Sequence, residues 1–438
     1  MRAHMTPEDQ LCLLLARGHL TPDLRPRILE FLASALQWPL VLERAYTHQA
    51  YPLVYRNLRD LGFPGVPDAV QAELKSAFVA NAFRNQLLAE ELARLLGLLG
   101  KAGIPVIPLK GVTLAQSLYG DAASRVCADI DILVPPDTVP EALGLIRASG
   151  YRDDFREPFF RDLVMRYGRH YDVVREDRVF SYLLELHWNL VHNSSRNDEA
   201  IKDVWAEARP KTFFGAPALS LSPEWEFLYL SIHAADHAWR NLKWLTDIHQ
   251  VASSASVDWQ MVMKKAEHLE LDLVVRQTLT ACSLLLGTPM PEGYSPTALP
   301  AKVRLFPAAP FPAETVQTVL FPVHVLRRPL DKLRCLAKIV LIPCLTDRDF
   351  LRLPSSLSFL YYPLRPMRLT CKWSWRLLKL GFANFIRMLG FWRNNAAGRQ
   401  APRLLLRSGA SAEVPTARAE GRHKPRIPER SASSVGDP

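Results

Sequence analysis

Apolar residues recur at helical spacing through the first hundred positions: in Leu11-Cys-Leu-Leu-Leu-Ala, in Ile28-Leu-Glu-Phe-Leu, and most regularly in Ala82-Phe-Arg-Asn-Gln-Leu-Leu-Ala-Glu-Glu-Leu-Ala-Arg-Leu-Leu-Gly-Leu-Leu. Such a period lays the side chains along one stripe, which predicts a helical N-terminal region over 1–100. At Lys101-Ala-Gly the period changes. Ile104-Pro-Val-Ile-Pro-Leu reads as a short buried strand leading into Lys110-Gly111, and Thr113 to Tyr119 as one or two helical turns. Asp129-Ile-Asp-Ile-Leu-Val alternates as a strand does, and Pro135-Pro136 closes it. Pro140 to Ser149 predicts a helix that Gly150 ends. Alternation returns in His170 to Arg175 and Val179 to His187, on either side of the polar turn Glu176-Asp177-Arg178.

The span 101–190 is therefore a mixed unit of strands and helices, and the fold class is α+β. Ser222-Pro-Glu-Trp-Glu opens a new helical region, with an N-cap serine and proline at the first helical position. Helices are expected over 191–290, closing a cleft against the mixed unit, up to the turn-rich Leu286-Gly-Thr-Pro-Met-Pro-Glu-Gly. Residues 291–395 read as a basic, aromatic helical C-terminal region. The last stretch, 396–438, is rich in Arg, Pro, Ser, Ala and Gly without periodicity, and is expected to be a disordered tail.

Composition adds constraints. With 438 residues, of which 48% are hydrophobic, the chain can bury a core and is too long for one small module. Its net charge of +10 is uneven: residues 301–438 carry 24 Lys and Arg against 8 Asp and Glu, leaving 30 against 36 in the first 300. Six scattered cysteines form no C-x-x-C pair or metal-ligand spacing, which fits a reducing, cytoplasmic setting better than a disulfide framework. Acidic residues stand where a signal peptide has its basic segment. The most apolar later stretch, Leu333 to Leu345, is interrupted by Arg334, Lys338 and Pro343, so no membrane span is expected.

The sharpest chemistry lies in Leu109-Lys110-Gly111-Val112-Thr113 and Asp129-Ile130-Asp131. On a strand, Asp129 and Asp131 project from one face while Ile130, Ile132 and Val134 pack on the other. Two carboxylates that close repel unless a cation lies between them, which makes sense as a magnesium site; an exposed, solvated edge strand is the plainer alternative. Glu185 and His187 alternate in the same way, and Glu185 becomes a third acid if its strand lies beside that of Asp129 with matching faces. A cross-strand ion pair for Glu185 and a packing role for His187 remain open. Lys110 and the backbone after Gly111 would sit at a strand-to-helix turn, where free N–H groups favour phosphate.

This series resembles the core of the DNA polymerase beta-like nucleotidyltransferase superfamily, and more closely the bacterial group described as uncharacterised nucleotidyltransferase. The segments that carry the resemblance are Pro108-Leu-Lys-Gly-Val-Thr-Leu-Ala, Leu118-Tyr-Gly-Asp, Arg125, Ala128-Asp-Ile-Asp-Ile-Leu-Val, Leu184-Glu-Leu-His-Trp-Asn-Leu, His233 to Asp247, and Leu353-Pro to Pro366-Met-Arg-Leu. It implies a small mixed-sheet nucleotidyltransferase core between helical regions, with Asp129, Asp131 and Glu185 as catalytic acids and metal ligands and Gly111 as the loop glycine. It implies Mg2+ as cofactor, a nucleoside triphosphate as substrate and an acceptor hydroxyl that the sequence does not name. A catalytically silent module that binds nucleotide or protein is the rival. The superfamily usually has Gly-Gly or Gly-Ser in the loop; with Val112 after Gly111, the grip on phosphate would rest on Lys110 or Thr113.

His233 and His237 share a helix face, yet no Glu follows His233 as a zinc peptidase requires; packing beside Trp239 and Trp244, or lining the cleft without holding metal, is the expected role. Arg240 and Lys243 are candidates for triphosphate contact, with a solvated helix face as the alternative. The run from Tyr361 to Leu380 interleaves aromatics with cations. It fits peripheral contact with the anionic inner face of a membrane, electrostatic binding of nucleic acid, or aromatics packed on the protein with snorkelling cations. No specific nucleic-acid motif accompanies it.

Overall fold

The computed structural model describes residues 5–153, 157–191, 197–254, 256–299, 323 and 328–371. All fall within Met1–Trp375, one of two compact units into which the chain divides. The expected tail 396–438 and the aromatic run beyond Cys371 lie outside the described residues.

The N-terminal region consists of α1 (Pro7–Leu15), α2 (Arg25–Leu32), α3 (Trp38–Thr47), α4 (Tyr51–Asp60) and α5 (Asp68–Lys101). Thr6 caps α1 by accepting from the Asp9 N–H at 3.2 Å, while the Asp9 carboxylate accepts from the Thr6 N–H. Leu11, Leu15, Ile28, Val54 and Leu58 meet in one apolar cluster, which Val70 and Leu74 of α5 complete. With 34 residues, α5 spans about 50 Å. Its C-terminal half, through Leu88, Leu92, Leu95 and Leu99, enters a second cluster beneath the sheet. One helix thus serves two cores.

The sheet comprises β1 (Ile107–Pro108), β2 (Ile130–Leu133), β3 (Arg152–Asp153), β4 (His170–Glu176) and β5 (Ser181–His187), in the order β1-β2-β5-β4-β3. Only β2 and β5 run parallel; the other pairs are antiparallel. The first two strands are shorter than their alternation predicts. Pro105 and Pro108 offer no N–H to a ladder, and Asp129 ends up one residue outside β2. The parallel pair is joined through α7 (Val139–Ala148), β3, α8 (Pro158–Tyr167) and β4. Ile130, Ile132, Val173, Leu184 and Leu186 fill the face toward α5 and α7. By alternation, Asp131 and Glu185 occupy the other.

After α6 (Val112–Tyr119) and the later α9 (Asn197–Glu207), a hairpin of β6 (Arg209–Phe213) and β7 (Ala216–Ser220) interrupts the span that the sequence reads as helical. Its two-residue turn, Phe214-Gly215, has φ of 50° and 82°, the primed geometry that tight hairpins need. A phenylalanine at the first position hides that signal. Then come α10 (Pro223–Asp236), α11 (Leu242–Ala252), α12 (Trp259–His268) and α13 (Asp272–Leu286), packed around Trp225, Phe227 and Trp239. Ser222 caps α10 as expected, and Gly287 ends α13 in the left-handed region.

Farther on, helices Pro329–Leu341 and Leu345–Phe350 precede a helical stretch over 361–371. There Tyr361 is wholly buried against Phe160, and Arg365 and Arg368 close on the buried Asp347 at 2.8 and 2.6 Å. These members of the basic aromatic run are engaged inside the protein. Among the described residues no helix is long and apolar enough to cross a membrane.

The loop before β2 is held from three sides. Asn81 and Asn85 of α5 donate to the carbonyls of Ala122, Ala123 and Arg125 at 2.6–3.0 Å. The Arg125 guanidinium pairs with Asp247 of α11 at 2.9 Å, both buried, and Tyr119 donates to the same carboxylate at 2.8 Å. Burial disfavours a charged arginine, but Asp247 outweighs it and holds the guanidinium protonated more firmly than usual. Arg125→Met should therefore strand the buried carboxylate and cost about 3–5 kcal/mol in urea unfolding. The double change Arg125→Met with Asp247→Leu should recover much of that loss; equal losses in both proteins would show that the pair is not what anchors the loop.

Candidate active site

The β2–β5 register sets Asp131 directly beside Glu185. Asp129, two residues before Asp131, joins them, and the three offer carboxylate oxygens all within 4.8 Å of one another. The clustering that alternation left conditional on strand pairing is thus present. Asp131 is 2% exposed, and its Oδ2 is buried without a hydrogen-bond partner. A buried anionic oxygen in that state is a vacant donor, and the all-oxygen set is the kind that hard divalent cations accept.

Lys110 reaches into the same cluster. Its Nζ lies 2.5 Å from Asp131, 3.5 Å from Asp129 and 3.9 Å from Glu185. Burial alone would strip the proton from this amine; Asp131, then Tyr229, Asp129 and Glu185, reverse the outcome and fix the ammonium form. The residue read from the sequence as a phosphate contact is placed on the acids. Thr113, the other candidate for phosphate, is buried, and its hydroxyl donates to the Lys110 carbonyl at 3.1 Å. It ties the turn that aims the lysine.

Gly111 makes that turn. Its φ of 76° with ψ of −134° is a conformation that side-chain-bearing residues avoid, and a Cβ there would meet the Asp129 carbonyl oxygen at 3.4 Å. Val112 begins α6 with its side chain buried in the apolar cluster under the sheet, beside Ile130 and Ile132. Its departure from the usual loop is thus absorbed on the side away from the acids.

His187 is 3% exposed, with Nε2 at 3.1 Å from Glu185 and 3.3 Å from Asp131. Both neighbours are acceptors, so Nε2 carries the proton. Burial would raise the affinity of Glu185 for its proton, but the His187 hydrogen bond and the Lys110 charge prevail and hold it at about 2. Asp172 faces Glu185 across β4 and β5, and His170 faces His187 with ring centroids 4.9 Å apart. Neither was singled out from the sequence. The signal was present: His170-x-Asp172 alternates as Glu185-x-His187 does, and counting back from the Glu176–Ser181 pair aligns the two.

Cations form the rest of the surroundings. Arg169 pairs with Asp236 at 2.8 Å and stands close enough to Tyr229 and Glu185 to feel both. Lys243 donates to the Val126 carbonyl at 3.0 Å, three residues before Asp129; burial, then Arg125, bring it down to about 8. Arg240 donates to the His237 carbonyl at 3.0 Å and is not placed on the acids. His237 stacks on Trp244 at 4.7 Å and His233 meets the same indole edge-on, the packing role expected of the pair, whereas Trp239 is buried and donates to Thr278. Burial disfavours the charged form of both histidines.

The family model described as uncharacterised nucleotidyltransferase matches residues 34–287, more than half of the chain. No curated protein matches it. Among solved structures, an antigenic nucleotidyltransferase-like protein from Paracoccidioides brasiliensis is similar at 15% identity, over 43% of this chain and 92% of that one, with a TM-score of 0.28. On the family match, and with an α+β core built as described, the chain belongs to the uncharacterised nucleotidyltransferase family.

Proposed function

We propose that the chain is a divalent-metal-dependent nucleotidyltransferase that moves a nucleoside monophosphate from a nucleoside triphosphate to an acceptor hydroxyl. The observation that carries this reading is the convergence of three carboxylates within 4.8 Å, with the most buried of them retaining an unpartnered oxygen. Asp129, Asp131 and Glu185 would hold Mg2+, which supplies charge neutralisation on the phosphates and orientation of the attacking oxygen. Glu185 would complete the ligand set and hold His187 in place through their hydrogen bond. The first N–H groups of α6, after the Gly111 turn, and the ammonium groups of Lys110 and Lys243 would bind the triphosphate. Lys110 would compete with the divalent ion for the same oxygens and, displaced from them, would bind a phosphate.

A second reading rests on that same lysine. An internal ammonium that permanently satisfies the acids would make the chain a silent module. Calorimetry with ATP, CTP, GTP and UTP separates the two: nucleotide binding that requires Mg2+ supports the enzyme, and metal-independent binding or none supports the module.

Three outcomes follow from the geometry. Asp129→Asn should lower transfer of label from radioactive triphosphate by about a hundredfold or more while leaving the circular dichroism spectrum unchanged, because Asp129 is the most exposed of the three acids. Full activity in that variant would remove the assignment. Lys110→Met should cost about 3–5 kcal/mol in urea unfolding with chelator present, and Mg2+ should restore a large part of it; no difference with or without Mg2+ would separate the lysine from the metal position. Lys243 loses its charge near pH 8, so nucleotide affinity should fall between pH 7 and 9 in the native protein and stay level in Lys243→Met.

A further inference from the structure

The hairpin of β4 and β5 brings together a second set of donors beside the three acids. His170 and His187 are paired across the strands, Asp172 and Glu185 are paired two residues along, and strand alternation places all four on one sheet face. His170, Glu185 and His187 each offer a ligand atom within 4.8 Å of the others. His187 is almost completely buried. Its Nε2 lies 3.1 Å from Glu185, about the spacing of two donors on one ion, so a cation can replace the proton between them, while Nε2 of His170 lies 3.4 Å from Asp172. An imidazole backed by a carboxylate is the usual state of a metal-ligating histidine, because the carboxylate fixes the tautomer and raises the basicity of the ring.

We propose that His170, His187 and Glu185 form a second divalent-cation site, one that takes an imidazole-preferring transition metal such as Zn2+, Co2+ or Ni2+ rather than Mg2+. The preference follows from the donors. Two neutral nitrogens and one carboxylate suit borderline metals, whereas Mg2+ favours the all-oxygen set of Asp129, Asp131 and Glu185. Metal–ligand bonds of about 2.0–2.1 Å put tetrahedral donors about 3.3 Å apart, so modest side-chain rotation closes the observed cluster onto an ion. Glu185 belongs to both sets. An ion in the histidine site therefore adds positive charge next to the three carboxylates, and occupancy of one site is coupled to affinity at the other.

The site stands independently of nucleotidyl transfer, because its test reads metal binding without nucleotide. The full chain, freed of metal by chelator, is titrated with Co2+ and followed by its visible d–d absorption. The native protein should bind Co2+ with a spectrum of nitrogen and oxygen ligation. His170→Gln should weaken binding by more than about tenfold, and Asp129→Asn by clearly less. Equal Co2+ affinity in His170→Gln and the native protein, or loss in Asp129→Asn as great as in His170→Gln, would overturn the proposal by assigning the ion elsewhere. Pulsed electron paramagnetic resonance of the native protein loaded with one equivalent of Cu2+ provides a test that needs no variant: imidazole nitrogen coupling supports the site, and its absence rejects it. Mg2+-dependent nucleotide binding measured in parallel on His170→Gln reports on the three acids separately.

Discussion

Three carboxylates cannot be held on one sheet face, one of them sealed from water, unless positive charge is held there with them. Two unit charges at 4 Å repel by about 4 kcal/mol at the effective dielectric of a protein, so three unscreened acids would threaten a fold whose total stability is typically about 5–15 kcal/mol. Lys110 resolves this by placing its ammonium within 4 Å of all three. The turn at Gly111, the Thr113 hydroxyl on the Lys110 carbonyl and the burial of Val112 all fix where that lysine points. The acidic cluster therefore carries its own counterion, and a divalent ion bound as proposed would exchange with it.

Such a balance works only if the backbone is rigid around it. The parallel β2–β5 pairing sets Asp131 against Glu185, and a one-residue slip would turn either acid into the apolar layer. Asp129 lies outside the ladder, so its position depends on the preceding loop. The asparagines of α5 and the Arg125–Asp247 pair both restrain that loop. In this way α5 does more than connect two clusters of leucines: its polar face supplies the donors that set the height of the first acid.

Much of this arrangement was legible in the sequence, and the parts that were not have physical reasons. Alternation in Asp129-Ile-Asp-Ile and Leu184-Glu-Leu-His gave the faces of the acids, but their meeting required knowledge that β2 and β5 are neighbours. Nothing in a single chain prints a parallel pairing made through a long crossover. Lys110 was read as a phosphate ligand because lysine after a strand suggests one; that it turns back onto Asp131 depends on the positive φ of Gly111, which the letter permits without requiring. Asp247 and Arg169 act through partners 122 and 67 positions away. Distances of that kind leave no local pattern.

The valine after Gly111, a departure from the usual loop, packs away from the acids. A second small residue there would leave the phosphate side of the turn open, yet Val112 turns its side chain into the apolar cluster with Ile130 and Ile132 and leaves the opposite side to the backbone. The conformational demand of the turn falls on Gly111 alone, since only that residue takes a positive φ. What a phosphate would meet is the start of α6, where the first N–H groups have no carbonyl within the helix to bond, whichever side chains they bear. Recognition by backbone is insensitive to a valine whose side chain points the other way. The identity of the residue at 112 therefore bears on packing beneath the sheet.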